Sequence, residues 1–270
     1  MKSYYAKDNF TLYLGDCVDV LNEMNSTFDM VFADPPYFLS NDGLTIQSGK
    51  IVSVNKGDWD KLTGDVEDYN YKWISAVREK MSKNASIWIS GTAHNIFSIY
   101  NVLIKLGFKI LNVIVWEKTN PPPNYSTRYF THSTELILWA RKAQEHAHKF
   151  NYKLMKQLNN GKQMKDVWRL PAISPWEKRY GKHPTQKPLS VLSRIVLAST
   201  DESDLILDPF TGSSTTGISA VLLNRKFVGV DITKEYLDVS VKRYNEAINN
   251  KNKLLHKISG LENYIKPMLL

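Results

Sequence analysis

The sequence predicts an α/β fold built around a mostly parallel, seven-stranded sheet. Short apolar runs recur along the 270-residue chain, and segments with helical apolar spacing separate them. Strands that alternate with helices form parallel sheets with right-handed crossovers. The chain is long enough for one large domain with a sizeable buried core.

Five of the predicted strands lie in the first 140 residues. They are residues 11–14, 28–33, 85–89, 108–116 and 134–140. The helices predicted between them are residues 18–24, 69–81 and 96–106. Gly107 suits the left-handed position that ends the third helix. The glycine-containing residues 38–57 have no clear period and predict a mobile loop.

Residues 119–182 differ in composition from the rest of the chain. They begin with Asn120-Pro121-Pro122-Pro123-Asn124, which can form neither a helix nor a central strand. After residue 140 they are polar and basic, with scattered aromatic side chains. We interpret 119–182 as an inserted region rather than a separate domain. It divides the single domain into a first half, about 8–118, and a second half, about 183–250.

Regular alternation resumes in the second half. Leu189, Leu192 and Ile195 mark one face of a helix that follows Pro188. The last two predicted strands are residues 205–207 and 227–230, with a helix at 213–223 between them. Thr233 is a candidate N-cap for a final helix that ends near residue 249.

The first candidate site follows the strand at 28–33 and reads Asp34-Pro35-Pro36-Tyr37, called here the Asp34 motif. Ligands of open α/β sheets bind beyond the carboxyl ends of the strands. Two prolines fix the backbone and leave carbonyls free to accept. An acid, rigid carbonyls and an aromatic ring suit a planar ring with an exocyclic amino group. The alternative is a strand-ending turn with a half-buried tyrosine.

The second candidate site follows the strand at 205–207. A turn containing Gly212 leads into a helix, and the next strand ends in Asp231, 23 residues after Asp208. This layout is typical of a nucleoside-binding βαβ unit whose acid binds the ribose hydroxyls. The Gly-Lys-Thr ending of a triphosphate loop and the three-glycine dinucleotide fingerprint are missing. The pattern therefore favours a nucleoside without a pyrophosphate, such as S-adenosylmethionine.

Charge and cysteine content bound the class of protein. A formal charge of +8 favours a polyanionic partner such as nucleic acid. The single cysteine, Cys17, excludes an intrachain disulfide. No apolar run could span a bilayer or serve as a signal peptide, so we expect a cytoplasmic protein with no membrane partner. His146 and His148 lack a partner cysteine, so we expect no metal site.

Together the two sites resemble the amino methyltransferases that modify adenine N6 or cytosine N4 in DNA. The Asp34 motif resembles their catalytic motif, and Asp208-Pro209-Phe210-Thr211-Gly212-Ser213 resembles their cofactor loop. The catalytic motif comes first, with a basic segment between the two, as in the β group. The third signature of that group resembles His183-Pro184-Thr185-Gln186-Lys187-Pro188, and its N-terminal element resembles Gly15-Asp16-Cys17. The resemblance spans residues 8–245 and implies a Rossmann-like methyltransferase fold with a target-recognition insertion.

The resemblance also implies roles for individual residues. The catalytic residues are Asp34, Pro35, Pro36 and Tyr37. Asp34 and the Pro35 carbonyl would accept the amino hydrogens of a flipped base, and Tyr37 would stack on that base. The residues expected to bind S-adenosylmethionine are Asp16, Cys17, Asp34, Lys187, Phe210, Gly212, Ser213 and Asp231.

Within this group, Asp231 is expected at the ribose and Lys187 near the methionine carboxylate. Asp16 and Cys17 are expected near the adenine end of the cofactor. Ser214 departs from the family, which usually has a second glycine there. A serine fits if that residue has a helical φ, so we expect function to survive.

A closer resemblance is to the second adenine methylase of DpnII-type restriction systems, which modifies GATC. It rests on residues 120–124, 128–135 and 161–168. It implies a restriction-modification role on duplex and single-stranded DNA, and a homodimer by analogy. The candidate DNA contacts are Asn120, Arg128, Lys178, Arg179 and Lys182.

Three alternatives stay open at this point. A cytosine-N4 methylase uses the same geometry on another amino group. A DNA-binding protein with the methylase fold but no activity would not need an intact Asp34 motif. A protein or ribosomal-RNA methylase usually has asparagine in place of Asp34 and an upstream cofactor loop.

Overall fold

The structure, a computed structural model, describes residues 2–37, 44–47, 50–53, 65–124, 127–142, 146–181 and 185–265. Its strands are β1 (Tyr5–Lys7), β2 (Phe10–Leu14), β3 (Phe28–Ala33), β4 (Leu44–Gln47), β5 (Lys50–Ser53), β6 (Met81–Gly91), β7 (Lys109–Lys118), β8 (Thr134–Arg141), β9 (Val167–Leu170), β10 (Leu205–Asp208) and β11 (Lys226–Asp231). Its helices are α1 (Cys17–Glu23), α2 (Val66–Lys80), α3 (Ile96–Lys105), α4 (Tyr152–Leu158), α5 (Leu189–Ser199), α6 (Thr215–Leu222), α7 (Lys234–Asn249), α8 (Lys251–Leu255) and α9 (Glu262–Ile265).

In the described part of the chain, nine strands form one mixed sheet in the order β1-β2-β11-β10-β3-β6-β8-β7-β9. The strands from β2 to β6 run parallel, whereas β8 is antiparallel to both of its neighbours. All seven predicted strands occur. The predicted count was too low because β1 and β9, at the two edges, have three and four residues. Such short segments carry little hydrophobic periodicity.

The two faces of the sheet bury separate apolar clusters. Met30 contributes to one cluster and its neighbour Val31 to the other, as the alternation of side chains along a strand requires. Helices α1, α2 and α3 cover the face that contains Val31. Helices α4 to α8 contribute to the cluster on the opposite face. Such two-sided coverage explains why β3 and β10 read as nearly continuous apolar runs.

The region 119–182 contributes directly to this sheet. Strand β8 lies within it and pairs with β6 and β7, and β9 extends the sheet beyond β7. The Trp139 ring of β8 stacks on Trp88 of β6 at 4.5 Å. The predicted region is therefore interrupted by a central strand, and its role in target recognition stays a prediction.

Two further predictions concern local structure. Gly107 has a φ of 76°, which confirms the left-handed end of α3. The predicted loop at 38–57 contains the antiparallel pair β4–β5, and its other residues lie outside the described ones. Among the helices that the structure describes, none is both long and apolar enough to cross a membrane.

Candidate active site

The carboxyl ends of β3, β10 and β11 meet at one cleft. The residues that line it include Gly15, Asp16, Cys17, Asp34, Pro35, Pro36, Tyr37, Tyr69, Lys187, Asp208, Phe210, Gly212, Ser213, Thr216, Asp231 and Tyr236. Strands β3 and β10 are neighbours, and the chain crosses from β10 to β11 on one side but from β3 toward β6 on the other. This is the switch point at which open α/β sheets bind ligands. The two candidate sites are therefore one site.

The Asp34 carboxylate is held by two donors of the chain itself. The Tyr37 hydroxyl donates to Oδ1 at 2.5 Å, and the Lys187 ammonium donates to Oδ2 at 2.6 Å. Lys187 also donates to the Tyr37 hydroxyl at 2.8 Å. Burial raises the pKa of Tyr37 well above its ordinary value, so the phenol stays protonated and remains a donor.

Lys187 therefore contacts the Asp34 motif directly. Sequence reasoning placed it near the methionine carboxylate, and that role stays a prediction. Burial alone would lower its pKa, but Asp34, Tyr37 and Glu135 outweigh burial and raise the pKa well above its usual value. The side chain is 7% exposed and carries a permanent positive charge into the cleft.

Sequence reasoning missed two residues behind Lys187. Glu135, at the start of β8, lies 3.5 Å from the Lys187 ammonium and 2.6 Å from that of Lys118, at the end of β7. Burial would raise the pKa of Glu135, but these two lysines lower it and keep the carboxylate ionised. The resemblance included Glu135 in a matching segment, but the sequence contains no signal that pairs it with Lys187.

The residue that precedes α3 holds the carbonyl of the second proline of the motif. Asn95, which is 1% exposed and precedes α3, donates to the Pro36 carbonyl at 3.4 Å. The Tyr37 hydroxyl also lies 3.5 Å from the Ser90 hydroxyl of β6. The motif is therefore held at its acid, its carbonyl and its phenol.

Asp208, at the end of β10, begins the cofactor loop. Its carboxylate accepts from the Thr216 hydroxyl at 2.6 Å and from the Phe210 amide at 3.1 Å. Burial raises its pKa to about 7, against the effect of these two donors. Across the cleft wall, the Phe210 ring packs edge-on against Trp73 at 5.1 Å.

Ser214 does not have the helical φ that would let a serine fit this position without strain. Its φ of 54° and ψ of 43° lie in the left-handed region, which costs a residue with a side chain about 1–2 kcal/mol. Thr211 holds it there, because its carbonyl accepts from the Ser214 amide at 2.7 Å and its hydroxyl donates to the Ser214 hydroxyl at 2.9 Å. Serine thus keeps the conformation that glycine would adopt readily.

Asp231 ties two turns together at the end of β11. One carboxylate oxygen accepts from the Gly212 amide at 2.7 Å and the other from the Thr233 amide at 2.8 Å. It therefore caps the turn before α7. Each carboxylate oxygen has a further lone pair for a hydroxyl. The ribose role stays a prediction.

Asp16 and Cys17 line the cleft from the start of α1. Asp16 is the N-cap, and its side chain accepts from the Val18 and Asp19 amides. Cys17 is 5% exposed, and burial raises the pKa of its thiol well above the usual range. The thiol is therefore neutral, unlike a nucleophilic cysteine.

Comparisons with known proteins identify the family of this chain. The family model for N6 and N4 methyltransferases, described as DNA methylase, matches residues 28–242. The chain belongs to this DNA methylase family. It is 53% identical to the type II methyltransferase M2.MboI of Moraxella bovis, over 97% of this chain and 99% of that protein.

Two further matches point the same way. This methylase is 54% identical to the type II methyltransferase M2.DpnII of Streptococcus pneumoniae, over 93% of this chain and 95% of that protein. The crystal structure of the M1.HpyAVI–SAM complex matches with a TM-score of 0.67 at 29% identity, over 87% of this chain and 99% of that chain. These findings confirm the Rossmann-like methyltransferase fold, the resemblance to type II methyltransferases, and S-adenosylmethionine as the cofactor.

The donor set of the cleft fits this cofactor. S-adenosylmethionine carries a positive sulfonium, and the cleft wall presents Asp16, Asp208 and Asp231. Phe210 and Tyr69 supply apolar surface for an adenine ring. The methylase therefore combines an acidic cofactor cleft with a surplus of positive charge over the whole chain.

The structure describes four of the predicted DNA contacts, and none of these four lines the cleft. Arg128 and Lys178 are exposed. Arg179 pairs with Glu246 of α7 and Asn120 accepts from the Ala172 amide, so both have structural partners within the chain. Lys182 lies outside the described residues.

Proposed function

We propose that this methylase transfers a methyl group from S-adenosylmethionine to the N6 amino group of adenine in GATC, within a restriction-modification system. One observation carries the proposal: the Asp34 carboxylate opens into the same cleft as Asp208 and Asp231. An acceptor for an amino group and acids for a cationic cofactor thus share one volume. The type II names of the relatives support the restriction-modification role.

The chemistry needs the amino nitrogen to become a nucleophile, because its lone pair is delocalised into the ring. In the proposed complex, Asp34 and the Pro35 carbonyl accept the two amino hydrogens and favour a tetrahedral nitrogen. When bound, S-adenosylmethionine supplies a methyl group already activated by its cationic sulfur. The protein contributes position and fixed charge, which are large terms in catalysis.

Tyr37 and Cys17 define the remaining features of the mechanism. Tyr37 lines the cleft and is fixed through its hydroxyl, so we propose that its ring offers a preformed stacking face to the flipped base. The neutral, buried Cys17 supports direct transfer without a covalent enzyme–base intermediate, which a cytosine-C5 methylase requires.

The proposed substrate includes single-stranded as well as duplex DNA. Before β8, Tyr129 is 60% and Phe130 is 96% exposed, and Arg128 adjoins them. Exposed aromatic rings next to basic side chains bind single strands by stacking and phosphate pairing. We further propose a cytoplasmic location, where cellular DNA is accessible, and a homodimer by analogy, which light scattering of the purified protein tests.

The test is transfer of labelled methyl groups to unmethylated oligonucleotides with and without GATC, in single- and double-stranded form. Nucleoside analysis should find N6-methyladenine confined to GATC. N4-methylcytosine would contradict the adenine assignment. No transfer to either DNA, with the cofactor still bound, would contradict the proposed activity.

A further inference from the structure

The Lys187 ammonium is hydrogen-bonded to the Asp34 carboxylate, the group that is proposed to accept from the amino group of the target base. Both oxygens of Asp34 already accept hydrogen bonds, one from Tyr37 and one from Lys187. An incoming amino hydrogen must therefore either use a second lone pair of these oxygens or displace Lys187 from Asp34. Lys187 is 7% exposed, so water offers its charge little stabilisation when that contact breaks.

Glu135 is a second carboxylate close to the same ammonium. Its Oε1 pairs with Lys118 at 2.6 Å, and its Oε2 lies 3.5 Å from Lys187. Within the described part of the chain, Oε2 is buried, and its long ion pair with Lys187 does not have the geometry of a good hydrogen bond. A buried carboxylate oxygen without a hydrogen bond is costly, by about 1–3 kcal/mol or more. It is also an acceptor ready for the neighbouring ammonium.

The charges of this cluster balance. Lys118, Glu135, Lys187 and Asp34 form an alternating row of two positive and two negative groups. Without Glu135, displacing Lys187 from Asp34 would leave a buried cation beside a positive cofactor. Leaving a buried charge unpaired costs about 3–5 kcal/mol. With Glu135 in place, a short movement keeps the ammonium paired throughout.

We propose that Glu135 is a positioning residue that receives the Lys187 ammonium when the amino group of the target base binds Asp34. This inference rests on the proposed function of the Asp34 motif. Glu135 acts through Lys187 and does not touch the base. Lys118 holds the opposite oxygen of Glu135 and keeps Oε2 directed at Lys187.

The test compares binding of oligonucleotides that have adenine or purine at the target position, with S-adenosylhomocysteine present so that no transfer occurs. Purine lacks the amino group, so the ratio of the two affinities reports the contact with Asp34. The wild-type protein should prefer adenine about tenfold, equivalent to one hydrogen bond to a charged group. Glu135→Gln should reduce this preference to within about twofold, because Lys187 then stays on Asp34.

A double variant separates this role from a structural one. In Glu135→Gln/Lys187→Met no ammonium remains to be displaced, so the preference for adenine should return. Glu117→Gln is the matched control, since Glu117 is on β7 and pairs with Arg169 outside the cleft. It should keep the wild-type preference.

Three results would overturn the inference. They are an unchanged preference in Glu135→Gln, no recovery in the double variant, and a loss of cofactor affinity that accounts for the whole effect. Thermal unfolding shows whether each variant folds. If Glu135→Gln does not fold, Glu135→Asp replaces it, because the shorter side chain withdraws the acceptor from Lys187 while the charge is kept. The preference should then fall, and an unchanged preference would contradict the inference. Failure of the wild-type protein to methylate DNA would instead contradict the proposed function.

Discussion

At the scale of single residues, Tyr37 is held by its hydroxyl as well as its ring. The hydroxyl donates to Asp34 and accepts from Lys187, so it orients the acid that is proposed to bind the amino group. Tyr37→Phe removes this donor but keeps the ring. We expect kcat to fall about 10- to 100-fold, the worth of a hydrogen bond to a charged group.

The measurement is the transfer rate together with the cofactor affinity. The affinity should change less than about twofold, because the hydroxyl is proposed to act on the base and not on the cofactor. Tyr71→Phe is the control, since Tyr71 is 46% exposed on α2. Equal activity of Tyr37→Phe and the wild type would show that the hydroxyl has no role in transfer.

Asp208 makes stability depend on pH. Its folded pKa of about 7 lies above the ordinary value because the carboxyl is buried. The folded state thus binds one more proton than the unfolded state between pH 4 and about 7. Unfolding free energy should therefore fall as pH rises through this window, by on the order of 1 kcal/mol per unit at most.

Asp208→Asn removes this titration while keeping an oxygen for the Phe210 amide. Denaturant unfolding at pH 5 and pH 7.5 should show the variant gaining stability relative to the wild type at the higher pH. A difference that does not change with pH would show that Asp208 titrates normally.

The acids at the strand ends can be located from the sequence, whereas the contact between Glu135 and Lys187 cannot. Asp34 and Asp231 were predicted because each follows its own strand, and that local pattern implies a position at the sheet edge. Glu135 and Lys187 are 52 positions apart and meet only because β8 lies beside β6. No local pattern encodes that contact.

At the scale of elements, α6 packs closely on the sheet. A Cβ at Gly217 would lie 2.5 Å from the Phe227 ring and 2.6 Å from the Phe10 ring, and these two rings stack on each other. Gly217→Ala should destabilise the protein, because overpacking costs about 1–3 kcal/mol and exceeds the gain of about 1 kcal/mol in helix propensity.

Thermal unfolding should show a fall of a few degrees in Tm. Asn245→Ala, at an exposed position of α7, is the control and should leave Tm unchanged or slightly higher. A rise in Tm for Gly217→Ala would mean that α6 can shift away from the two rings.

Elements with clear periodicity were predicted with ends within a few residues of those observed. Examples are β3 and α7, whose patterns follow one buried face. The conformation of Ser214 was not predicted, because it depends on hydrogen bonds to Thr211 and not on helix propensity. The edge strands β1 and β9 were missed because they are short and only partly buried.

At the scale of the whole molecule, the positive charge should make DNA binding depend on salt. Each phosphate contact contributes about 0.9 to the slope of log K against log salt. Lys178→Ala should reduce this slope by about one unit if Lys178 contacts a phosphate. Its neighbour Arg179 is already paired with Glu246, so Arg179→Ala should leave the slope unchanged.

Filter binding to one oligonucleotide at several salt concentrations measures both slopes. Equal reductions in the two variants would show that the Arg179 pair opens on DNA. No reduction in either would place the phosphate contacts elsewhere on the surface.

The central claim is that the Asp34 motif is essential for transfer, while most of the expected cofactor contacts lie elsewhere in the cleft. The most direct measurement is the transfer rate and the cofactor affinity of Asp34→Ala. The control variant is Asp68→Ala, at an exposed position of α2. We predict that transfer falls at least about 100-fold in Asp34→Ala, as when a preorganised electrostatic group is removed, with cofactor binding and folding retained. Transfer at the wild-type rate, or loss of folding in place of loss of transfer, would contradict the claim.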